Sequence, residues 1–295
     1  MNKELSNIKI WSIASRPKTL LAAFVPVMVG SSLAYVQNSF KPVSAIIALV
    51  CAILIQIATN FTNDLYDFLK GADTKKRVGP TRVLNAGLVS PSQMKLAIFL
   101  TFGLAFILGL YLVFQTGYII LLVGIVSIIA GLAYTAGPYP LAYNGLGDVF
   151  VFLFFGFVGT VGTYYVQVLS VNGMALLSSI PVGALITNIL VVNNYRDIDQ
   201  DKIAEKNTLA VILGKAFSKF EYIFLLISSF IIPVLFYMYY EISIWIFLPF
   251  LTLPLAYKLV YMLFKYTGEE LNKTLELTAK FSAIFGLLFS LGIIL

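Results

Sequence analysis

The sequence predicts an all-α, polytopic membrane protein, a single helix bundle of about nine transmembrane helices with a cytoplasmic N-terminus. Of the 295 residues, 59% are hydrophobic and only 12% are charged, and the mean hydropathy is +0.91. Soluble domains have roughly 25% charged residues. Apolar runs of about 20 residues recur along the chain, each long enough to cross a bilayer as a helix. Basic residues gather in every second connection between these runs.

Nine apolar segments are predicted to span the membrane as one domain covering residues 1–295. Helices and closed barrels are the structures that satisfy backbone polar groups in lipid, and the alternating ten-residue segments of a barrel are absent. A capping box from Ser90 to Gln93 is predicted to begin the third segment, and Ser218 is predicted to cap the seventh. The predicted spans are 19–37, 43–62, 94–113, 117–136, 146–166, 174–194, 218–239, 243–265 and 276–295.

The distribution of Lys and Arg predicts how the bundle is oriented. When the connections are assigned alternately to two sides, 19 of the 20 basic residues lie on the side of the N-terminus and Lys41 lies on the other. The positive-inside rule makes the first side cytoplasmic, so the prediction is a multi-pass protein of the cell inner (cytoplasmic) membrane. Topology also accounts for the net charge of +6, and the sequence therefore predicts no nucleic-acid partner.

Composition restricts the chemistry of any site. The chain has no histidine and a single cysteine, Cys51, inside an apolar run. Zinc–histidine sites, histidine-ligated haem, histidine-containing triads and intrachain disulfides are all excluded. A metal ion would need oxygen ligands, which favours Mg²⁺, Ca²⁺ or Mn²⁺.

Two long polar connections, about 63–93 and 195–217, are predicted on the cytoplasmic side, where their charges can meet. Each carries acidic and amide residues whose spacing places them on one face of a helix. These are Asn60, Asp64 and Asp67 in the first, and Asn194, Asp197 and Asp201 in the second. Clustered carboxylates repel one another unless a cation joins them, so two facing clusters favour an Mg²⁺ site. The alternatives are solvated loop charges and helix caps, the second of which suits Asp73 and Asp199.

A lipid diphosphate is the ligand that fits these features. Mg²⁺ in proteins is usually held by one or two carboxylates and by substrate phosphates. Basic side chains nearby can neutralise the remaining phosphate charge, and the apolar bundle can hold a hydrocarbon tail. The residues predicted to bind substrate beside the two acidic clusters are Asn60, Asn63, Arg77, Arg82, Tyr134, Asp148, Asn194, Arg196 and Lys206.

At these residues the sequence resembles the UbiA superfamily of intramembrane aromatic prenyltransferases. The shared motifs are Asn-Asp-x-x-Asp, beginning at Asn63, and Asp-x-x-x-Asp, beginning at Asp197. Four segments are similar to the branch of this superfamily that prenylates 1,4-dihydroxy-2-naphthoate; they are 16–20, 77–82, 134–138 and 194–211. The chain departs from the family pattern at Gly71, where a third Asp is usual, and Asp73 is expected to substitute for it. It also has Glu205-Lys206-Asn207 where Gly-Lys-Arg is usual.

The resemblance implies Mg²⁺-dependent transfer of a polyprenyl group from a polyprenyl diphosphate to an aromatic acid within the lipid bilayer. The implied acceptor is 1,4-dihydroxy-2-naphthoate, and the product is demethylmenaquinone of menaquinone biosynthesis. The implied catalytic and metal-binding residues are Asp64, Asp67, Asp197 and Asp201, with Lys18 near the carboxylate of the acceptor.

Two alternatives stay open at the level of sequence. One is a UbiA-type enzyme with another acceptor, such as 4-hydroxybenzoate, a chlorophyllide or haem. The other is a secondary transporter or divalent-cation channel, which the position of the carboxylates at helix ends on one side disfavours, because transporters place such groups near the bilayer midplane.

Overall fold

The protein was analysed as a computed structural model in which residues 6–72, 79 and 82–295 are described. Three predicted site features lie outside this part, namely Asp73, Arg77 and the side chain of Lys18. Regular secondary structure in the described part is helical throughout, as predicted. The main helices are α1 (Asn7–Ser15), α2 (Pro17–Val36), α3 (Pro42–Leu69), α4 (Pro91–Thr116), α5 (Tyr118–Ala133), α6 (Gly147–Val168), α7 (Gly173–Ile203), α8 (Leu209–Tyr240), α9 (Ile244–Lys265) and α10 (Leu271–Ile294).

Each predicted span overlaps one of the helices α2 to α10. Within the described residues, eight helices are long and apolar enough to cross a membrane. The exception is α5, which is apolar but has only 16 residues, about one turn short of the usual span. The helical membrane bundle is thus confirmed, while the number of crossings and the side of the N-terminus stay predictions.

The prediction of two long polar loops is partly wrong, because the helices continue through the polar motifs. Helix α3 extends to Leu69 and α7 to Ile203, and only residues 204–208 separate α7 from α8. The average hydropathy falls in these stretches, which is why they were predicted as loops. The polar residues nevertheless recur at helical spacing, and their side chains turn into the bundle. The acidic motifs are therefore held on rigid helices.

The capping predictions had opposite outcomes. The capping box is confirmed: Ser90 Oγ accepts a hydrogen bond from the backbone N–H of Gln93 at 3.2 Å, and Gln93 Oε1 accepts one from the Ser90 N–H at 2.9 Å. The predicted cap at Ser218 is wrong, because α8 begins earlier and its N-cap is Thr208. Ser218 instead donates to the carbonyl oxygen of Gly214, where the backbone leaves helical geometry (φ 82°, ψ 176°) and kinks α8.

Glycines allow α6 to approach its neighbours closely. A Cβ added at Gly156 would lie 2.7 Å from the carbonyl oxygen of Ser179, and one at Gly183 would lie 2.7 Å from that of Phe152. Gly159 lies against Pro26 in the same way. Gly162 is different, since no described heavy atom of a neighbouring element lies within 4 Å of its added Cβ.

Candidate active site

A cavity of about 430 Å³ lies in the bundle between α2, α3, α4, α5, α6 and α7. Both Asp67 and Ala48 of α3 line it, and at 1.5 Å per helical residue these positions are about 28 Å apart. This length is close to the thickness of a bilayer's hydrocarbon core, about 30 Å. Polar side chains line the end near Asp67 and Asp197, here called the acidic end, and mostly apolar side chains line the rest.

Helix α3 presents Asn60, Asn63 and Asp67 to the acidic end. Asp67 is only 3% exposed and accepts hydrogen bonds from Arg82 Nη2 at 2.9 Å and from the hydroxyl of Tyr143 at 2.8 Å. Asn63 Oδ1 accepts from Thr135 Oγ1 at 2.8 Å. Asn60 Nδ2 donates to the carbonyl oxygen of Ser15 at 2.9 Å, which ties α3 to the end of α1.

Asp64, the first acid of the same motif, does not line the cavity. Its carboxylate accepts a hydrogen bond from the backbone N–H of Val83 at 3.2 Å, so it faces the segment that follows α3. Neighbouring residues on a helix point about 100° apart, and Asn63 occupies the direction of the cavity. The face that lines the cavity is thus rotated from the predicted face of Asn60, Asp64 and Asp67 towards Asn63, and Asp64 lies just outside it.

Helix α7 presents Asn194, Asp197 and Asp201 to the same cavity, as their spacing predicts. Asp197 is held by its neighbour: Arg196 Nε lies 2.7 Å from Oδ1, and Nη2 lies 2.6 Å from Oδ2. The same guanidinium donates to Asn193 at 2.9 Å and to Asn272 of α10 at 2.7 Å. Arg196 does not line the cavity, although the sequence predicts a contact with substrate; in this structure it fixes the carboxylate of Asp197.

Lys206 lies in the short connection after α7 and lines the cavity. Its ammonium is 3.9 Å from Asp201 Oδ1, and its backbone N–H donates to the carbonyl oxygen of Asp201 at 2.8 Å. Arg82 also lines the cavity, so the acidic end includes two cationic side chains predicted to bind phosphate.

Tyr143 joins the two acidic helix ends, and sequence reasoning missed it. Besides the hydrogen bond to Asp67, its carbonyl oxygen accepts from the backbone N–H of Asn207 at 3.1 Å, in the connection between α7 and α8. Lys70 Nζ lies 3.9 Å from the centre of the Tyr143 ring. Partial burial lowers the pKa of Lys70 in spite of the nearby Asp67 carboxylate, and the charge of Lys206 lowers it further.

Tyr134 and Asp148 line the cavity from the ends of α5 and α6, as their positions in the sequence predict. Asp148 is 4% exposed, and its Oδ1 makes no hydrogen bond to any described residue. The hydroxyl of Tyr134 is protonated at neutral pH, as in an ordinary tyrosine, and can donate a hydrogen bond. Arg16 also lines the cavity, with its backbone in the left-handed region (φ 52°) between α1 and α2.

The acidic end provides the type of ligand that Mg²⁺ prefers, but no complete protein cage. Its carboxylate and amide oxygens are hard donors suited to this ion. Among the described residues no three acidic, histidine or cysteine side chains lie close enough to hold a metal ion. This arrangement fits Mg²⁺ that is shared with a substrate diphosphate, because such ions commonly take only one or two carboxylates from the protein.

A helical membrane bundle with an acidic end and a deep, mostly apolar cavity defines a class of integral membrane proteins whose candidate site lies inside the bundle. Within this class the chain belongs to the UbiA prenyltransferase family, whose model matches residues 23–284. The resemblance found in the sequence motifs is therefore confirmed.

Known proteins that are similar to this chain match it over nearly its whole length. The chain is 36% identical to a 1,4-dihydroxy-2-naphthoate octaprenyltransferase of Escherichia coli, covering 99% of this chain and 97% of the relative. It is 31% identical to the protein of that name in Bacillus subtilis, covering 99% and 94%. In structure it is similar to a UbiA homologue from Archaeoglobus fulgidus bound to DMAPP and Mg²⁺, with a TM-score of 0.65, 18% identity and coverage of 96% and 98%. A UbiA homologue from Aeropyrum pernix gives a TM-score of 0.70 at 15% identity, covering 92% and 96%.

Proposed function

We propose that this chain transfers a polyprenyl group from a polyprenyl diphosphate to 1,4-dihydroxy-2-naphthoate. The choice of acceptor rests on one observation. The chain is 31–36% identical, over almost its whole length, to three bacterial octaprenyltransferases named for this acceptor. The site supports the donor, because a diphosphate suits the acidic end with its cationic side chains and a polyprenyl tail suits the apolar cavity.

Mg²⁺ would be held at the acidic end by Asp67 and Asp197, with Asp201 beside them and Asp64 at the edge. When bound, it supplies charge neutralisation that makes the diphosphate a better leaving group. Asp67 and Asp197 are already buried on helices, so their positions are largely set before substrate arrives.

Arg82 and Lys206 are the phosphate-binding side chains in this proposal. Each is paired with a carboxylate, Arg82 with Asp67 at 2.9 Å and Lys206 with Asp201 at 3.9 Å. A diphosphate oxygen can replace the carboxylate as the partner of either cation, and arginine can make two parallel hydrogen bonds to phosphate. Arg196 acts instead as a positioning residue for Asp197, since its guanidinium makes two hydrogen bonds to that carboxylate and further ones to Asn193 and Asn272.

The reaction needs little proton transfer from the protein. The allylic C1–O bond breaks, the diphosphate leaves with the electron pair, and an electron-rich ring carbon forms the new C–C bond. Loss of the acceptor's carboxylate as CO₂ returns the electrons to the ring, which gives the quinol form of demethylmenaquinone. The apolar walls exclude water, which would otherwise capture the allylic cation.

Arg16, Tyr134 and Asp148 are the proposed acceptor-binding residues. Arg16 can pair with the acceptor's carboxylate until CO₂ leaves, and the protonated Tyr134 hydroxyl can donate a hydrogen bond. Asp148 Oδ1, without a hydrogen bond in the described structure, can accept one from a ring hydroxyl of the acceptor.

An acceptor panel tests the proposed function. Purified protein in lipid is supplied with one prenyl diphosphate, Mg²⁺ and, in separate reactions, 1,4-dihydroxy-2-naphthoate or 4-hydroxybenzoate. We expect prenylated product and CO₂ with the naphthoate, neither product with the benzoate, and no turnover when EDTA removes the metal. Product mass and released diphosphate are the measurements.

Two results would contradict the proposal in different ways. Turnover with the benzoate and none with the naphthoate would assign another acceptor within the same family. Solute or cation flux through proteoliposomes, with no diphosphate release under any condition, would favour the transporter.

We further propose that the acidic end faces the cytoplasm, which thiol labelling can test because Cys51 is the single cysteine. In a Cys51→Ser background, the exposed Asn85 at the acidic end and the exposed Gln115 at the opposite end of α4 are each replaced by Cys. In intact cells, a membrane-impermeant maleimide should label Gln115→Cys and spare Asn85→Cys. Both should react after the cells are opened, and the reverse pattern in intact cells would invert the predicted orientation.

A further inference from the structure

The connection between α5 and α6 is attached to the connection between α7 and α8 at the acidic end. The carbonyl oxygen of Tyr143 accepts a hydrogen bond from the backbone N–H of Asn207 at 3.1 Å, and Asn144 forms an isolated parallel β-bridge with Asn207. Gly145 lies so close to the start of α8 that an added Cβ would be 2.9 Å from Ile212 Cδ1. The two connections are therefore packed tightly together, and their contact fixes the position of Tyr143 beside the acidic end.

The side chain of Tyr143 contacts residues from both acidic helix ends. It is 8% exposed, and its hydroxyl donates to Asp67 Oδ1 at 2.8 Å. The centre of its ring lies 3.9 Å from Lys70 Nζ, just after α3, and 5.5 Å from Lys206 Nζ, just after α7. Both ammonium groups are within the distance of about 6 Å at which an aromatic ring attracts a cation. Tyr143 does not line the cavity, so it can act on a bound ligand only through these neighbours.

The hydroxyl of Tyr143 fixes the direction of the Asp67 carboxylate without blocking it. Arg82 Nη2 donates to Asp67 Oδ2 at 2.9 Å, so each carboxylate oxygen has a hydrogen-bond donor from the protein. A carboxylate has about four lone-pair sites, and these two donors therefore leave others for a metal ion. Hydrogen bonds of this kind orient metal ligands in proteins, and their loss commonly costs roughly 10- to 100-fold in metal affinity or activity.

We propose that Tyr143 is a positioning residue that sets Asp67 and Lys206 relative to each other, and that it thereby strengthens the joint binding of Mg²⁺ and diphosphate at the acidic end. The proposal rests on the proposed function for the identity of this ligand. The hydroxyl acts on Asp67, while the ring and the backbone act on the connection that carries Lys206. Because the two residues belong to different helix ends, a link that contacts both reduces the cost of ordering them when the ligand binds.

Tyr143→Phe tests the role of the hydroxyl, because it keeps the ring beside both lysines. With saturating donor and acceptor, the Mg²⁺ concentration that gives half-maximal turnover should rise roughly 10-fold. Excess Mg²⁺ should restore most of kcat, and the KM of the acceptor should stay unchanged. A purely structural defect would instead lower turnover at every Mg²⁺ concentration and leave the midpoint in place.

Two further variants complete the series. Tyr139→Phe is the matched control, since Tyr139 lies in the same connection but is 61% exposed, and it should keep the wild-type Mg²⁺ midpoint. Tyr143→Leu also removes the ring, so Lys206 loses its aromatic partner. The KM of the prenyl diphosphate should then be roughly 2- to 5-fold higher than in Tyr143→Phe. An equal KM in the two folded variants would overturn the role given to the ring.

A measurement without acceptor separates this proposal from the proposed function. The rise in melting temperature that a prenyl diphosphate gives to the protein is recorded over the same Mg²⁺ series, and it reports binding alone. Its midpoint should move to higher Mg²⁺ in Tyr143→Phe and stay in place in Tyr139→Phe. If it does so while no aromatic acid is prenylated, the role of Tyr143 stands and the acceptor assignment fails.

Two results of the melting measurement would overturn the role of Tyr143. One is a wild-type Mg²⁺ midpoint in the folded Tyr143→Phe protein. The other is an equal shift of the midpoint in Tyr139→Phe. If donor and Mg²⁺ together do not stabilise the wild-type protein, the role of Tyr143 and the proposed function both fail.

Discussion

Asp67→Asn and Asp197→Asn variants are expected to lose at least roughly 100-fold in turnover, the order of effect seen when one electrostatic contact to a transition state is removed. Both carboxylates line the acidic end, and each is a proposed ligand of Mg²⁺. Asparagine keeps the size and an oxygen acceptor but removes the charge that binds the ion. The measurement is kcat with saturating prenyl diphosphate and 1,4-dihydroxy-2-naphthoate, repeated at increasing Mg²⁺ concentration.

Folding must be checked in these variants, because each change leaves a buried guanidinium without its full counter-charge. Breaking a buried ion pair can cost about 3–5 kcal/mol. Asp199→Asn is the matched control: it lies on the same helix as Asp197, but its side chain is 87% exposed and pairs only loosely with Lys215, at 3.6 Å. It should keep normal turnover. Wild-type activity in well-folded Asp67→Asn and Asp197→Asn proteins would contradict the proposed metal site.

Asp64→Asn distinguishes two roles for the remaining motif residue. If Asp64 binds the metal, as the motif predicts, this variant should be as inactive as Asp67→Asn. If its role is to hold the backbone at Val83, the amide oxygen of asparagine can accept the same hydrogen bond, and most activity should remain.

Gly183→Leu is expected to prevent stable folding, with a loss of at least about 3 kcal/mol, the upper part of the range for overpacked cores. The added Cβ alone would lie 2.7 Å from the carbonyl oxygen of Phe152 and 3.0 Å from its ring. Backbone atoms cannot rotate away as a flexible side chain can, so α6 and α7 would have to separate. The yield of monodisperse protein in detergent and its melting temperature are the measurements.

A comparison of the Gly183→Ala and Gly124→Ala variants tests the same contact with a smaller change. Both glycines lie in helices of the bundle, but nothing described lies within 4 Å of a Cβ added at Gly124. The Gly124 variant should melt like the wild type, whereas the Gly183 variant should melt at a lower temperature. Equal melting temperatures would show that the contact between α6 and α7 relaxes easily.

Much of the bundle could be predicted from the sequence, because the constraint that lipid places on a helix is one of length and apolarity. All nine apolar segments coincide with helices. Hydropathy could not predict where the helices end near the acidic end of the cavity. Polar residues that turn into a bundle lower the local average as loop residues do, so α3 and α7 were predicted to end too early.

The site was predictable to the level of a helix face and no further. At about 100° per residue, a spacing rule selects a broad arc of the helix. In α7 all three predicted residues, Asn194, Asp197 and Asp201, line the cavity. In α3 the side that faces the cavity includes Asn63 and leaves out Asp64. The part of a helix face that turns inward depends on how the neighbouring helices pack. The spacing of residues within one helix carries no information about that packing.

The role of Tyr143 could not be predicted from the sequence, for a related reason. It lies among apolar and aromatic residues in the connection between α5 and α6. Nothing in its local sequence distinguishes it from Tyr139, which is 61% exposed. Its role depends on a partner 76 positions away, Asp67. A contact over that separation is fixed by the tertiary fold alone.

The pairing of Asp67 with Arg82 and of Asp197 with Arg196 has a consequence for the biogenesis of the protein. Each of these carboxylates carries its counter-charge within the chain itself, so the two helices that form the acidic end can come together during membrane insertion without binding a metal ion. Cells starved of divalent cations should therefore still accumulate the folded polypeptide, which under the proposed function would be inactive until Mg²⁺ is restored.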